Sequence, residues 1–389
     1  MTPHLPANKP YFPETDRAEI AAEMVKILEG GRLTQGPWIA RFEEAFARYA
    51  GTAHAVATNS GTSALEILLR YFQVEGGEVI VPTNTFLSSG NAVIFAGGTP
   101  VLADISPATL CLDPQEIIRK LTPHTRGVML VHIAGLITPD LEDIRRICRE
   151  RELFLIEDAA HAPGAALNGQ PAGSLADGGA FSFYPTKPMT TGEGGMITTN
   201  DPACADFARS LRCHGIAIGE ENRGENKNLL LRLGYNWRMS EIQALVGYYQ
   251  LQRLDEALDK RGQIARLYEV ALNGIPGLRR FPCPEHTRHS YYKFPLLLEK
   301  PFLRETVARS LAGDFGIQSG SIYWPPCHLQ PFYRERFGYR PGDFPVAEDI
   351  LERTIALPIY PEMCAGDVER VAGAFRQILQ NRDAFGGGE

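Results

Sequence analysis

The sequence predicts an α/β protein: a mostly parallel, mixed sheet covered by helices, followed by a smaller C-terminal α+β unit. Three observations carry that expectation. Between residues 54 and 199, short apolar runs alternate with helical patterns of about 10–15 residues, the signature of βαβ units. One long stretch of helical spacing, 239–273, separates this region from a tail with a different pattern. The 389 residues exceed one ordinary domain of roughly 100–200 residues. The boundary is expected near residue 250, giving a large unit 1–250 and a small unit 251–389.

The elements follow in order. Residues 19–28 and 37–49 have helical apolar spacing on either side of Gly30-Gly31. Strands are expected at 54–57, 78–81, 99–103, 127–133, 154–157, 179–183 and 194–199. Helices are expected at 63–71, 85–96, 114–121 and 140–151. The polar stretch 219–228 reads as a surface loop, and 385–389 as a frayed tail. After the long helix come a strand at 291–298 and helices at 301–315 and 367–380.

Composition narrows the function. Hydrophobic residues at 44% and charged residues at 22% describe a globular chain and exclude disordered, collagen-like and disulfide-scaffold classes. Lys plus Arg number 39 against 46 Asp plus Glu, a net charge of −7. A nucleic-acid partner needs a basic face, so none is expected; a local basic pocket for a phosphate is compatible with this balance. Seven cysteines, none in C-x-x-C or metal-ligand spacing, read as thiols of a reducing cytosol, with no metal site. The first 13 residues are proline-rich without an apolar core, unlike a secretory signal. The longest near-apolar run, 127–137, falls short of the about 20 residues that span a bilayer. A soluble cytoplasmic protein is expected.

Three segments carry chemistry. The apolar run 154–157 ends in Asp158, which a parallel sheet would place at its ligand-binding edge; capping a following helix is the plainer alternative. Lys187 sits in a loop bounded by prolines and glycines directly after a strand, where a desolvated lysine becomes a Schiff-base nucleophile; an exposed loop lysine is the alternative. Asn59-Ser60-Gly61-Thr62-Ser63 opens a helix and forms either a phosphate cradle or an ordinary N-cap. A lysine for an aldehyde, an acid for a pyridinium nitrogen and a phosphate cradle are together what pyridoxal 5′-phosphate (PLP) requires.

On these residues the chain resembles the DegT/DnrJ/EryC1/StrS family of PLP-dependent aminotransferases. The resemblance runs through GRLTQGP at 31–37, NSGTSAL at 59–65, VPTNTF at 81–86 and IEDAAHAPGA at 156–165. It continues through SFYPTKPMTTGEGG at 182–195, GYNWRMSEIQAL at 234–245 and CHLQPFY at 327–333. It implies a fold-type-I PLP enzyme working as a homodimer with shared sites. By the same resemblance, Lys187 is the Schiff-base lysine and proton shuttle, Asp158 pairs with the ring nitrogen, and His161, one helical turn later, sits beside the ring. Phe86 stacks on the ring face, Gly61, Thr62 and Ser182 hold the phosphate, and Asn236 reaches the phosphate of the other subunit. Thr34, Arg212, His214, Tyr323 and His328 fall in segments that face the substrate. Some relatives carry histidine in place of the lysine and remove a hydroxyl; this chain keeps Lys187, which implies transamination.

The implied reaction passes the amino group of L-glutamate through pyridoxamine 5′-phosphate to a nucleotide-linked keto-sugar. The expected sugar is a dTDP-linked 4-keto-6-deoxyhexose, in a pathway to a natural product or surface glycan. Amination of a free cyclitol ketone is the alternative within the family, and a non-catalytic regulator is the alternative outside it.

Overall fold

A computed structural model describes residues 4–217 and 229–380. The expected loop at 219–228 and the expected frayed tail lie outside the described residues. The chain opens with helices α1 (Glu14–Gly30) and α2 (Pro37–Ala50). Then follow β1 (His54–Thr58), α3 (Gly61–Tyr71), β2 (Glu78–Pro82), α4 (Leu87–Phe95), β3 (Thr99–Ala103) and α5 (Pro114–Lys120). Next come β4 (Thr125–Val131), α6 (Leu141–Glu150), β5 (Phe154–Asp158), the short β6 (Ala166–Leu167) and β7 (Gln170–Pro171), and β8 (Gly178–Ser182). β9 (Gly195–Thr199), α7 (Pro202–Leu211), α8 (Glu241–Gln252) and α9 (Leu254–Ala271) complete this part.

Seven of these strands form one sheet in the order β1-β9-β8-β5-β4-β2-β3. Every pairing is parallel except those of β9, which runs against both β8 and β1. The mostly parallel, mixed sheet expected from the sequence is the one observed. Its central strands bury Val79, Ile80, Val81, Val128, Met129, Leu130 and Ile156 completely. That is why they read as unbroken apolar runs: a sheet covered by helices on both faces has no solvent side to alternate with.

Several boundaries differ from expectation for local reasons. The stretch 239–273 is two helices, broken at Arg253 (φ −101°, ψ 0°), whose guanidinium holds the buried Asp16 of α1 through two hydrogen bonds of 2.8 Å. Phe86 stays extended (φ −69°, ψ 149°), so α4 starts only at Leu87, and Thr85 Oγ1 lies 2.6 Å from Ser89 Oγ. No helix follows Asp158; residues 159–162 form a turn closed by Ala162 N–H to the Ala159 carbonyl, so His161 lies within a turn. Tyr291 takes a left-handed φ of 48°, which delays the next strand.

The remaining chain contributes β10 (Leu278–Arg280), β11 (Thr287–Arg288), β12 (Phe294–Leu298), α10 (Arg304–Phe315) and β13 (Gly320–Ser321). It ends with α11 (Pro331–Phe337), α12 (Pro345–Arg353), β14 (Thr354–Leu357) and α13 (Ala365–Gln380). β10-β12-β14-β13 make an antiparallel sheet, while β11 joins the β6–β7 hairpin. Leu5 is buried in this second core and bridges Ile317, so the first residues of the chain pack with the last third. No described helix is long and apolar enough to cross a membrane.

One contact fixes the entry to α2. The carboxylate of Glu241, fully buried at the start of α8, accepts hydrogen bonds from Gly36 N (2.9 Å), Trp38 N (2.8 Å) and Ile39 N (3.1 Å). It satisfies amide groups that the N-terminus of α2 leaves open. Glu241→Ala should cost about 3 kcal/mol and lower the thermal midpoint by several degrees. A calorimetric scan that leaves the midpoint in place would show that water satisfies these amides instead.

Candidate active site

The parallel strands end along one edge, the usual ligand edge of an open α/β sheet. β5 delivers Asp158 there, β8 delivers Ser182, β1 leads into the start of α3, and β2 leads to Phe86. The loop after β8 returns through Tyr184, Pro185 and Thr186 to Lys187, closed by Lys187 N–H to the Tyr184 carbonyl at 2.9 Å. Thr190 Oγ1 and Thr191 N both donate to the Phe183 carbonyl, at 2.9 and 3.0 Å, and pin the loop's far side. Together these segments enclose a cavity of about 460 Å³.

Gly61, Thr62, Phe86, Asp158, His161, Ser182, Lys187 and Tyr323 all line this cavity. The Asp158 carboxylate is buried and held at both oxygens: Ser89 Oγ donates to Oδ2 at 2.6 Å, and Ala160 N donates to Oδ1 at 3.2 Å. Lys187 shows part of its surface, but its ammonium group is enclosed, 4.6 Å from the centroid of the Tyr292 ring. Burial pulls it down to about 8; Asp158 opposes that pull and Lys293 adds to it. Above that pH the side chain is a free amine, the form that attacks a carbonyl.

His161 is stacked on Tyr292 at 4.2 Å, and its Nε2 lies 2.7 Å from Tyr323 Oη. Burial, then the charges of Lys187 and Lys293, hold its imidazole well below the usual histidine range, so it is neutral. Its Nδ1 is buried without a partner among the described residues. At the start of α3, Ser60 caps the helix by accepting from Ser63 N, and Thr62 Oγ1 donates to Ser88 Oγ at 2.9 Å. A Cβ at Gly61 would meet Ser182 Cβ at 2.8 Å, so only glycine lets the helix start approach β8 this closely.

Five expected residues lie elsewhere. Thr34 is exposed and bridges Ser240. The Arg212 guanidinium is committed to Glu43 and the Ala57 carbonyl. His214 is exposed, at a left-handed φ of 61°. Asn236 is exposed in an extended segment bridged to Cys213, ahead of the Ser240 cap of α8. His328 is fully buried, with Nδ1 2.7 Å from Thr83 Oγ1 and Nε2 3.1 Å from Glu348 Oε1. That pairing leaves no ring nitrogen for a substrate and corrects the expectation for His328.

Ser89, Tyr184, Thr186, Glu193 and Tyr292 also stand at the site, beyond the residues expected from the sequence. Tyr184, Thr186 and Glu193 flank Lys187 inside the quoted motif, so adjacency alone could have raised them. Tyr292 comes from the far end of the chain, and Thr186 Oγ1 lies 3.1 Å from its hydroxyl. No local pattern announces that contact.

The residues fit PLP. An enclosed amine without a hydrogen bond or ion pair among the described residues faces the cavity wall that holds a buried carboxylate. A helix N-terminus with a sterically required glycine stands alongside it, and Thr62 and Ser182 supply hydroxyls.

Comparison with known proteins agrees with this geometry. The model of the DegT/DnrJ/EryC1/StrS aminotransferase family matches residues 14–376. The spore coat polysaccharide biosynthesis protein SpsC of Bacillus subtilis is 38% identical over 383 residues, covering 96% of this chain and 98% of the relative. GDP-perosamine synthase of Caulobacter vibrioides is 37% identical over 348 residues, covering 88% and 91%. The structure of DesI, solved in the presence of its TDP-sugar product, superimposes with a TM-score of 0.87 at 30% identity, covering 99% of this chain and 95% of that one.

The glycine at the start of α3 gives a direct test. Gly61→Ala should push the helix start away from Ser182 and raise the dissociation constant for PLP about tenfold or more. Fluorescence titration of the cofactor-free chain measures it, and an unchanged constant would separate this helix start from the cofactor.

Proposed function

The chain belongs to the DegT/DnrJ/EryC1/StrS aminotransferase family, and we propose that it moves the amino group of L-glutamate to a keto-sugar carried on a nucleotide. It is a PLP-dependent sugar aminotransferase. The observation that carries the finer reading is the enclosed Lys187 amine in one cavity with Asp158 and the Gly61 helix start. When bound, PLP supplies the aldehyde that takes up the amino group and a ring that draws electrons from the substrate carbon.

The protein's own groups do the rest. Asp158, fixed by Ser89 and Ala160, presents a carboxylate to the ring nitrogen and favours its protonated form. Lys187 Nζ takes a proton from the substrate's reacting carbon and returns one, a task suited to an amine brought near neutrality. Neutral His161, oriented by Tyr323, offers Nδ1 as a hydrogen-bonding atom to the bound pair. Thr62 and Ser182, which line the same cavity, would hold the phosphate, and Phe86 would lie against the ring.

The nucleotide in this reading is dTDP and the sugar a 4-keto-6-deoxyhexose; DesI is described with a TDP-sugar product and perosamine synthase with GDP, so both belong in the test. We also read the protein as a cytoplasmic homodimer divided near residue 250. All seven cysteines are free thiols, as in a reducing compartment. Leu229, Leu230, Leu231 and Leu233 are exposed together, Leu233 at 82%, and apolar patches of this kind mark protein contacts. In this reading Asn236, three residues on, reaches the partner's phosphate.

Incubation with glutamate and a panel of dTDP- and GDP-linked keto-sugars and inososes, read by mass, tests the reaction. A one-amine product from a nucleotide sugar is expected; amination of an inosose alone would move the activity to free cyclitol ketones. Asp158→Asn should keep PLP bound yet lose at least about 99% of turnover, because an amide cannot stabilise a protonated ring nitrogen. Near-normal turnover would remove Asp158 from the chemistry. Asn236→Ala should weaken PLP binding roughly ten- to a hundredfold, the loss of one hydrogen bond to a charged phosphate of about 1.5–3 kcal/mol. Intact affinity, or a monomer that binds PLP as tightly as the dimer, would contradict the shared site.

A further inference from the structure

Behind the cavity wall, packed against two of the tyrosines that line it, lies a second lysine that this reaction does not use. Lys293 precedes β12, and its backbone N–H donates to the Ala134 carbonyl at 3.2 Å. Its ammonium group donates to the Ser321 carbonyl at 2.6 Å and lies over two rings, 4.8 Å from the centroid of Tyr323 and 5.5 Å from that of Tyr292. Those rings both stack on His161, at 4.2 and 5.7 Å. The Tyr292 ring is also the one that Lys187 Nζ approaches to 4.6 Å. Two ammonium groups therefore share one aromatic ring. Lys293 has no carboxylate partner among the described residues, and one carbonyl plus ring faces compensate poorly for an enclosed charge. A neutral side chain would sit there at lower cost.

Resting on the reading of Lys187 as the cofactor lysine, we propose that Lys293 is a positioning residue for it. It clamps the Tyr292–His161–Tyr323 stack and, as a second positive charge on the shared ring, keeps the Lys187 amine free to capture the cofactor aldehyde. Around Lys187 stand Asp158 at the end of β5, His161 in the turn beyond it, Tyr184 and Glu193 on its own loop, and Tyr292 and Tyr323 from the C-terminal part. His161 is neutral, and burial pushes the phenols of Tyr292 and Tyr323 up, so both stay protonated. Asp158 favours the Lys187 ammonium, and Lys293 works against it. Burial brings Lys293 itself to about 8, so most of its charge is present at neutral pH and it fades over the same range in which Lys187 titrates. The sign follows: removing that charge raises the pH at which Lys187 becomes a free amine.

The test mixes the full-length, cofactor-free chain with PLP across about pH 6 to 10 and reads the rate of covalent capture. The wild-type rate should fall off on the acid side of about 8. Lys293→Gln still donates to the Ser321 carbonyl but lacks the charge. It should move that limb up by a few tenths of a pH unit and slow capture at neutral pH about twofold. Lys293→Arg keeps the charge and should leave the limb in place. Labelling of Lys187 by acetic anhydride, located by mass, should shift in the same way without any cofactor. If Lys293→Gln does not fold by thermal scan, Lys293→Met repeats the comparison. A limb that stays put in the neutral variants, or moves equally in the arginine variant, overturns the proposal. Wild-type chain that captures PLP at a site other than Lys187 overturns the underlying reading of the cofactor lysine as well.

Discussion

An amine kept out of water near a carboxylate is the constraint around which this structure is arranged. A lone enclosed ammonium is costly, and the protein meets that cost by lowering its proton affinity and by placing Asp158 close enough to oppose the loss. Neither group can drift. Asp158 is clamped by Ser89 and by the turn at Ala160, while the Lys187 loop is tied to Phe183 and Tyr184 by backbone and threonine hydrogen bonds. β5 and β8 pair in parallel with Asp158 opposite Ala180, so the register of two neighbouring strands sets the acid against the loop that carries the lysine.

The reversed strand β9 serves the same geometry. Gly195 begins it so near the start of α3 that a Cβ there would meet the Ser60 carbonyl oxygen at 2.3 Å. The helix N-terminus is thus seated between β8 and β9 at a distance only glycines permit, and its free amides face the cavity. The C-terminal part closes the other side with Tyr292 and Tyr323, which fix a neutral His161 between aromatic faces. Chemistry comes from the large sheet and the loops at its edge, and enclosure from Tyr292 and Tyr323, which stand just outside strands β12 and β13 of the smaller one. Separating them would open the amine to water and return Lys187 toward an ordinary lysine.

Much of this was legible in the sequence because the signals are local. Val79-Ile80-Val81 and Val128-Met129-Leu130 announce buried parallel strands. Asp158 stands at a strand end and Lys187 in the loop that follows one, where position alone suggests a role. What stayed hidden depends on contacts distant in sequence. Tyr292 meets Thr186 across 106 positions, and the Thr83–His328 pair spans 245. A histidine in a family segment invites a substrate role for His328, yet its two ring nitrogens are occupied by Thr83 and Glu348. The break at Arg253 was masked by helical spacing on both sides, since the cause is an ion pair with Asp16, more than 200 residues earlier. The shared site proposed for a dimer rests on Asn236, which is exposed and does not line its own chain's cavity.

The account stands on Lys187 as the residue that holds the cofactor. Reduction of the PLP-loaded protein with borohydride, followed by digestion and mass mapping, reads that point directly. The account predicts one cofactor mass per chain, on the peptide containing Lys187, with Lys293 unmodified. Label on Lys293, or loaded protein in which no lysine carries it, would contradict the arrangement from which every other assignment follows.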